Sequence, residues 1–262
     1  MAEITATLVK ALRDRTSQGM MECKKALTEA DGNLEAAVDL LRKRGLAAAE
    51  KKAERETKEG LVAMADGEGG TAMVEVSCET DFCARNDEFK AMVQQVADMA
   101  AAAQAGPVQA TEQITQTVQA CFDKIGENMS YVRGVKIDAP TVGRYLHHNN
   151  KVGVLVGIDG DLAPETLNDL CMHIAFADPM AITAEEVPAD IVERERRLVA
   201  DQAAESGKPP QVVEKIVEGR MRKFLASKAL LEQPFVREEK KQIRDILGPA
   251  KVTAFARFAV GQ

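Results

Sequence analysis

Few side chains in this sequence have the types and spacing that chemistry needs. Cys83 lies two residues before Arg85, and a thiol at a helix start beside a cation can ionise and act as a nucleophile. The alternative is a small apolar residue half-buried at a corner. His147 and His148 are adjacent. On a strand they would point to opposite faces, which is poor geometry for sharing a metal. Gly207-Lys208 is followed by Pro209, and Gln202 stands where the first glycine of a phosphate-binding loop belongs. No GxGxxG opens a helix after a strand. The carboxylates fall in exposed helical patterns, with no apolar pocket to push the two members of a pair apart in pKa. The expectation is a protein that is not an enzyme and has no catalytic residue, no metal site and no cofactor.

Binding is the other chemistry a sequence can carry. In Glu79-Thr80-Asp81-Phe82-Cys83-Ala84-Arg85-Asn86-Asp87-Glu88-Phe89, a strand-like run ends and a helix-like run begins. Phe82 sits at that corner among polar neighbours. Its ring has either an internal slot under the adjoining sheet or an external one. An external ring is a candidate anchor, because truncating a buried interface aromatic commonly costs ~2 kcal/mol or more.

The elements that must position this corner follow from hydrophobic period. Ile4, Leu8 and Leu12 repeat at four-residue spacing, and Cys23, Ala26, Leu27, Ala30 and then Leu34, Ala37, Val38, Leu41 give two helical stripes. Gly19 and Asp31-Gly32-Asn33 punctuate them, and Gly45 reads as a helix stop. Residues 1–45 are therefore expected to form a three-helix bundle, of the ubiquitin-associated type by fold analogy. Residues 46–59 read as a charged, helical connector. The period then becomes two: residues 61–65 and 71–78 flank Asp66-Gly67-Glu68-Gly69-Gly70, a hairpin signal, and Ala72, Val74, Val76 and Cys78 share a face. Helix patterns follow from Asp87, and through Ile114, Val118 and Ile125 to Gly126, with a strand near 129–137. The order repeats in residues 142–148 and 152–158, around Asn149-Asn150, and in a helix through Leu170 and Ile174. Two charged helices, joined by a turn at 207–210, make an antiparallel hairpin over about 188–226, and alternation from Val252 to Val260 predicts a final strand. The fold class read here is α+β: the bundle, a first αβ unit over 60–140, and a related second unit over 141–262 bearing the hairpin.

Composition narrows the partners. With 34 Lys plus Arg against 41 Asp plus Glu, the net charge is −7, which lacks the footprint of a general nucleic-acid binder. The five cysteines include no CxxC pair, as expected for reduced thiols in a cytoplasmic protein. No run of ~18 apolar residues suits a membrane, and the first residues lack the pattern of a secretion signal.

Five segments, in order along nearly the whole chain, resemble elongation factor Ts. Residues 12–27, Leu-Arg-Asp-Arg-Thr-Ser-Gln-Gly-Met-Met-Glu-Cys-Lys-Lys-Ala-Leu, are similar to that family's LRExTGAGMMDCKKAL. The others are Thr80-Asp81-Phe82, within a segment similar to TDFVARNDEF; Lys124-Ile125-Gly126-Glu127-Asn128; Met172-His173-Ile174-Ala175; and residues 217–224 with Leu231-Glu232-Gln233-Pro234-Phe235-Val236 after them.

The resemblance implies a guanine-nucleotide exchange factor that binds the GTPase elongation factor Tu and speeds release of GDP. It implies that Thr80, Asp81 and Phe82 contact the nucleotide-binding domain on its Mg²⁺ and phosphate side, with the ring entering between two helices. Ile125, Gly126 and His147 belong to the same neighbourhood, and the bundle docks through Arg13 and Met20. The hairpin is a candidate self-association surface. Ser17-Gln18 stands where the family usually has Gly-Ala, and Cys83 where Val is common. A C-terminal helical module of longer members has no counterpart here, so its contact is not carried over. Each residue has a plainer alternative: Ile125 as the last core residue of its helix, Met20 or Met21 as core, His147 as an ordinary strand residue, Arg13 as a solvated charge. The rival functions are an adaptor that binds without exchange and a thiol enzyme using Cys83.

Overall fold

In the computed structural model, which describes residues 4–16, 18–205 and 209–262, the four-residue spacing of Leu8 and Leu12 turns both toward the inside of α1 (Ala6–Thr16). α2 (Met20–Glu29) and α3 (Leu34–Lys52) pack against it. Leu12, Cys23, Ala26, Leu27 and Ala37 are fully buried in this small core. The turn between α2 and α3 uses Gly32 at φ 83°, whose amide bonds to Leu27 O at 2.9 Å. Asn33 then caps α3 by accepting from Ala36 N at 3.1 Å.

Gly45 does not stop α3, which continues to Lys52 and absorbs much of the expected connector. The glycine serves close approach instead. A Cβ there would come within 2.3 Å of Asp123 Oδ1, on α6 (Glu112–Ile125). A helix-interior Gly costs roughly 0.5–1 kcal/mol against Ala, and here the packing of two helices offsets it.

The chain divides into two compact units. The first comprises residues up to Gly67 with Ala72–Lys136 and Ala259–Gln262, and the second Glu68–Thr71 with Ile137–Phe258. In the first unit, β1 (Glu59–Gly67) and β2 (Gly70–Cys78) are joined through Glu68-Gly69. They are followed by α4 (Asp81–Arg85), α5 (Asp87–Ala101), β3 (Gly106–Val108), α6 and β4 (Met129–Ile137). The sheet order is β1-β2-β4-β3, and β3 pairs antiparallel with β4 from Gly106↔Lys136 to Val108↔Gly134. α5 lies on β1 and beside α6. Its apolar stripe, Phe89, Met92, Val93, Val96 and Ala100, is buried with Val74 and Val76 of β2 in the main core. β2 is buried on both faces: beside Ala72, Val74, Val76 and Cys78, Met73, Glu75 and Ser77 are buried too. The buried Glu75 is paired with Arg133, whose Nε lies 2.7 Å from its carboxylate, as a buried charge requires.

The second unit carries β5 (Thr141–Leu146), β6 (Val152–Asp159), α7 (Pro164–Ala177), α8 (Ala189–Ala204), α9 (Pro210–Lys228), β7 (Pro234–Phe235), β8 (Glu238–Gln242), α10 (Ile243–Leu247) and β9 (Lys251–Ala259). Its three-stranded sheet runs β5-β6-β9. β5 and β6 pair antiparallel from Thr141↔Ile158 to Leu146↔Gly153. α7 covers them with Leu170, Cys171 and Ile174. α8 packs on α9, and Gln202 accepts from Arg220 Nη1 at 3.0 Å. The Gly207-Lys208 part of the expected turn lies outside the described residues, as does Ser17. Among the described residues no helix is long and apolar enough to cross a membrane.

The protein is thus α+β with a helical N-terminal region. Phe89 is fully buried at the centre of the first unit's core. Phe89→Ala is expected to lower unfolding stability by ~3–5 kcal/mol, read as a lower urea midpoint at unchanged m-value.

Candidate functional site

The end of β2 and the start of α4 build the corner. Thr80 takes the extended conformation of a helix cap, φ −126° and ψ 156°, and its hydroxyl oxygen accepts from Cys83 N at 3.2 Å. α4 is one turn long, closed by Ala84 N bonding to Thr80 O at 3.1 Å. Asn86 ends it and at once caps α5, accepting from Glu88 N at 2.8 Å. Successive helical residues turn by about 100°. With Cys83 and Ala84 directed into the core, Phe82 is left facing outward. Phe82 is 80% exposed, although Phe is among the residues most often buried. Asp81 pairs with Arg85 at 3.0 Å on the surface, a contact worth about 0–1 kcal/mol.

Thr80 is fixed from the opposite side by Glu127, in the turn between α6 and β4. Glu127 Oε2 accepts from Thr80 N at 3.1 Å, and Oε1 accepts from the Thr80 hydroxyl at 2.8 Å. The reverse bond also exists. Glu79 Oε1 accepts from Asn128 N at 2.6 Å, and Glu79 Oε2 from Arg55 Nη1 at 3.3 Å. Two adjacent residues on each segment therefore exchange carboxylates across the gap. The backbone N–H of Asn128, and then Arg55, hold the Glu79 carboxyl below the usual carboxylate range.

Gly126 makes that turn possible. It is left-handed, φ 79° and ψ 13°, with its amide on Phe122 O at 2.7 Å, the glycine C-terminus that L side chains adopt reluctantly. Its carbonyl accepts from Lys52 Nζ, and the same ammonium stands 5.7 Å from the Phe122 ring centre. Asn128 Nδ2 donates to Arg55 O at 2.9 Å. Ile125 is partly buried against the main core. The residue before the Gly19-Met20 turn, Gln18, donates to Asp123 O at 2.9 Å, so the start of α2 meets the last turn of α6.

The residues named from the sequence are thus distributed unevenly. Thr80, Asp81, Phe82, Ile125 and Gly126 form one neighbourhood in the first unit, joined by Glu127. Arg13 on α1 is exposed. Met20 and Met21, of which one was expected in the core, are 59% and 66% exposed. Both lie at the N-terminal end of α2, whose buried residues are Cys23, Ala26 and Leu27. His147 belongs to the second unit. It is not on a strand, because β5 ends at Leu146. The chain there turns through Asn150, φ 55°, whose amide bonds to His147 O at 2.7 Å. Tyr145 Oη lies 2.7 Å from His147 Nδ1, and the His147 and His148 rings are 4.2 Å apart rather than on opposite faces.

Cys83 is buried, and so are the other four cysteines, all of them free. Neighbouring Cys78 has its thiol pKa raised by its hydrogen bond with Cys83 and by burial. The residues that sequence reading passed over are Glu79 and Glu127. Each lies beside a named residue, and the available signal was a carboxylate directly before a helix cap and another directly after a helix-ending glycine.

Because the folded-state pKa of Glu79 is depressed, its contribution to stability is complete above the unfolded value and is lost as pH falls through the folded one. The stability difference between the parent and Glu79→Gln is expected to stay constant above about pH 5 and to shrink below about pH 4, as measured by urea unfolding at stepped pH.

A family model described as Elongation factor TS matches residues 79–262. The chain is 42% identical over 272 residues to an elongation factor Ts of Thioalkalivibrio sulfidiphilus, covering 99% of this chain and 92% of that protein. It is 45% identical over 266 residues to that of Pasteurella multocida, covering 100% and 93%. With the elongation factor Ts of Vibrio cholerae the identity is 42% over 261 residues, covering 99% and 92%. Similarity at this level across both units, the Thr80-Asp81-Phe82 corner included, assigns the chain to the elongation factor Ts family of translation elongation factors.

Proposed function

We propose that this chain is a cytoplasmic guanine-nucleotide exchange factor that binds GDP-loaded elongation factor Tu and promotes GDP release, so that GTP can reload. The observation that carries this reading is Phe82, an exposed aromatic ring on a one-turn helix anchored at both ends. An exchange factor must bind the nucleotide-free partner more tightly than the GDP-bound one, and GDP must weaken its binding equally. A thousandfold effect corresponds to about 4 kcal/mol, at ~1.4 kcal/mol per decade. Burying one Phe contributes ~1.5–3 kcal/mol, so the ring needs help. Thr80 and Asp81, adjacent in sequence, together with Ile125, Gly126 and His147, are its proposed partners in contacting the GTPase domain near the Mg²⁺ and phosphate site. Arg13 and Met20, on a bundle of the ubiquitin-associated type, dock on a further helix.

A wedge that separates helices and disturbs phosphate and Mg²⁺ ligands works by differential binding. It asks no acid, base or cofactor of this chain. Direct nucleic-acid contact is not part of the reading, in keeping with the net charge of −7.

The decisive experiment is stopped-flow release of a fluorescent GDP analogue from elongation factor Tu. Acceleration that saturates with the concentration of this chain is expected, and its absence with folded protein sinks the proposal. Phe82→Ala is expected to retain the fold, since the ring is exposed, and to lose about thirtyfold in exchange, the equivalent of ~2 kcal/mol at an interface aromatic. Exchange at the parent rate would refute the wedge role. The α8–α9 pair is further proposed as a homodimer surface. Sedimentation should then show dimer at tens of micromolar, and monomer there removes that proposal.

A further inference from the structure

We infer that Glu127 is the positioning residue for Phe82, holding the one-turn helix so that the ring meets a partner already oriented. The inference rests on the exchange reading for its consequence and on geometry for its cause. α4 has five residues and one closing backbone bond to its cap. Short helices are unstable in water without outside support, and the unpaired amides of a first turn need partners. Thr80 supplies one internally, to Cys83 N. The carboxylate of Glu127 supplies the external ones, taking both the amide and the hydroxyl hydrogen of Thr80. A charge-assisted pair of this kind is stronger than neutral bonds. Glu127 is itself placed by its neighbours: Gly126 O is held by Lys52, and Asn128 N by Glu79. The wedge is therefore braced from the turn after α6, and Phe82 needs no contact of its own to stay in place.

Pre-organisation of this kind lowers the ordering cost of binding. Losing a hydrogen bond to a charged group is worth about tenfold or more in the population of the ordered state. Exchange should fall accordingly, with binding elsewhere on the chain left intact.

The chain has no tryptophan, so Phe82→Trp places a lone indole at the corner. Its fluorescence anisotropy in the free protein reads how firmly that position is held. In this background Glu127→Ala and Thr80→Val should each lower the anisotropy, and the double variant should fall short of the sum of the two, as expected for groups sharing one interaction. In the chain with Phe82 retained, Glu127→Ala should reduce the maximal rate of GDP release about tenfold and leave the half-saturating concentration nearly unchanged. Glu127→Gln keeps one acceptor and should recover part of the rate. Anisotropy insensitive to Glu127→Ala, or strictly additive effects, overturns the inference. So does a lower unfolding midpoint with an intact maximal rate. Should the parent chain fail to accelerate release, the exchange reading falls, and the anisotropy of the free protein still decides the role of Glu127.

Discussion

The bidentate contact between the Glu127 carboxylate and Thr80 is the interaction on which the first unit's exposed corner depends. A one-turn helix cannot sustain itself, and an aromatic ring in water gains nothing from staying where it is. Something other than the ring must fix the backbone. Here the fixing comes from a segment 47 residues away in sequence. It works because Gly126 ends α6 in the left-handed conformation and directs the next two residues back toward β2.

The same turn joins the helical N-terminal region to this corner. Lys52, the last residue of α3, reaches Gly126 O, and Arg55 reaches Glu79. Gly45 lets α3 lie close to α6 at Asp123. The bundle's own core is small, and short helices of this kind depend on packing more than on propensity. Its attachment to α6 is thus part of what holds it, and the exposed start of α2 at Met20 shares a scaffold with Phe82. In the proposed role this places two docking elements on one unit, so their contributions to binding can add.

Much of this architecture was legible in the chain. The stripes of α5, α6 and α7, the turn before β2 and the alternation in β9 follow from periods of 3.6 and 2. The stop at Gly126 follows from its residue type. Less legible were features decided by non-local contacts. Gly45 looks like a helix stop because glycine often is one, and only the nearness of Asp123 makes it a contact point. His147 looks like a strand residue because the strand's apolar run points through it, yet the Asn149-Asn150 turn claims it. The short β7–β8 ribbon and α10 lack enough residues to show any period.

By its residue types alone the sequence determined where most of the longer helices and strands lie and that a strand gives way to a helix around Thr80-Asp81-Phe82, because these depend on neighbours within a few residues. Only the tertiary structure decided that Phe82 faces water while Cys83 and Ala84 face the core, and that Met20 and Met21 are both outside. It alone paired Glu127 with Thr80 and Glu79 with Asn128. The physical reason is that hydrogen bonds and burial between distant segments depend on how helices and strands pack, and a linear pattern carries no record of which carboxylate will find which amide.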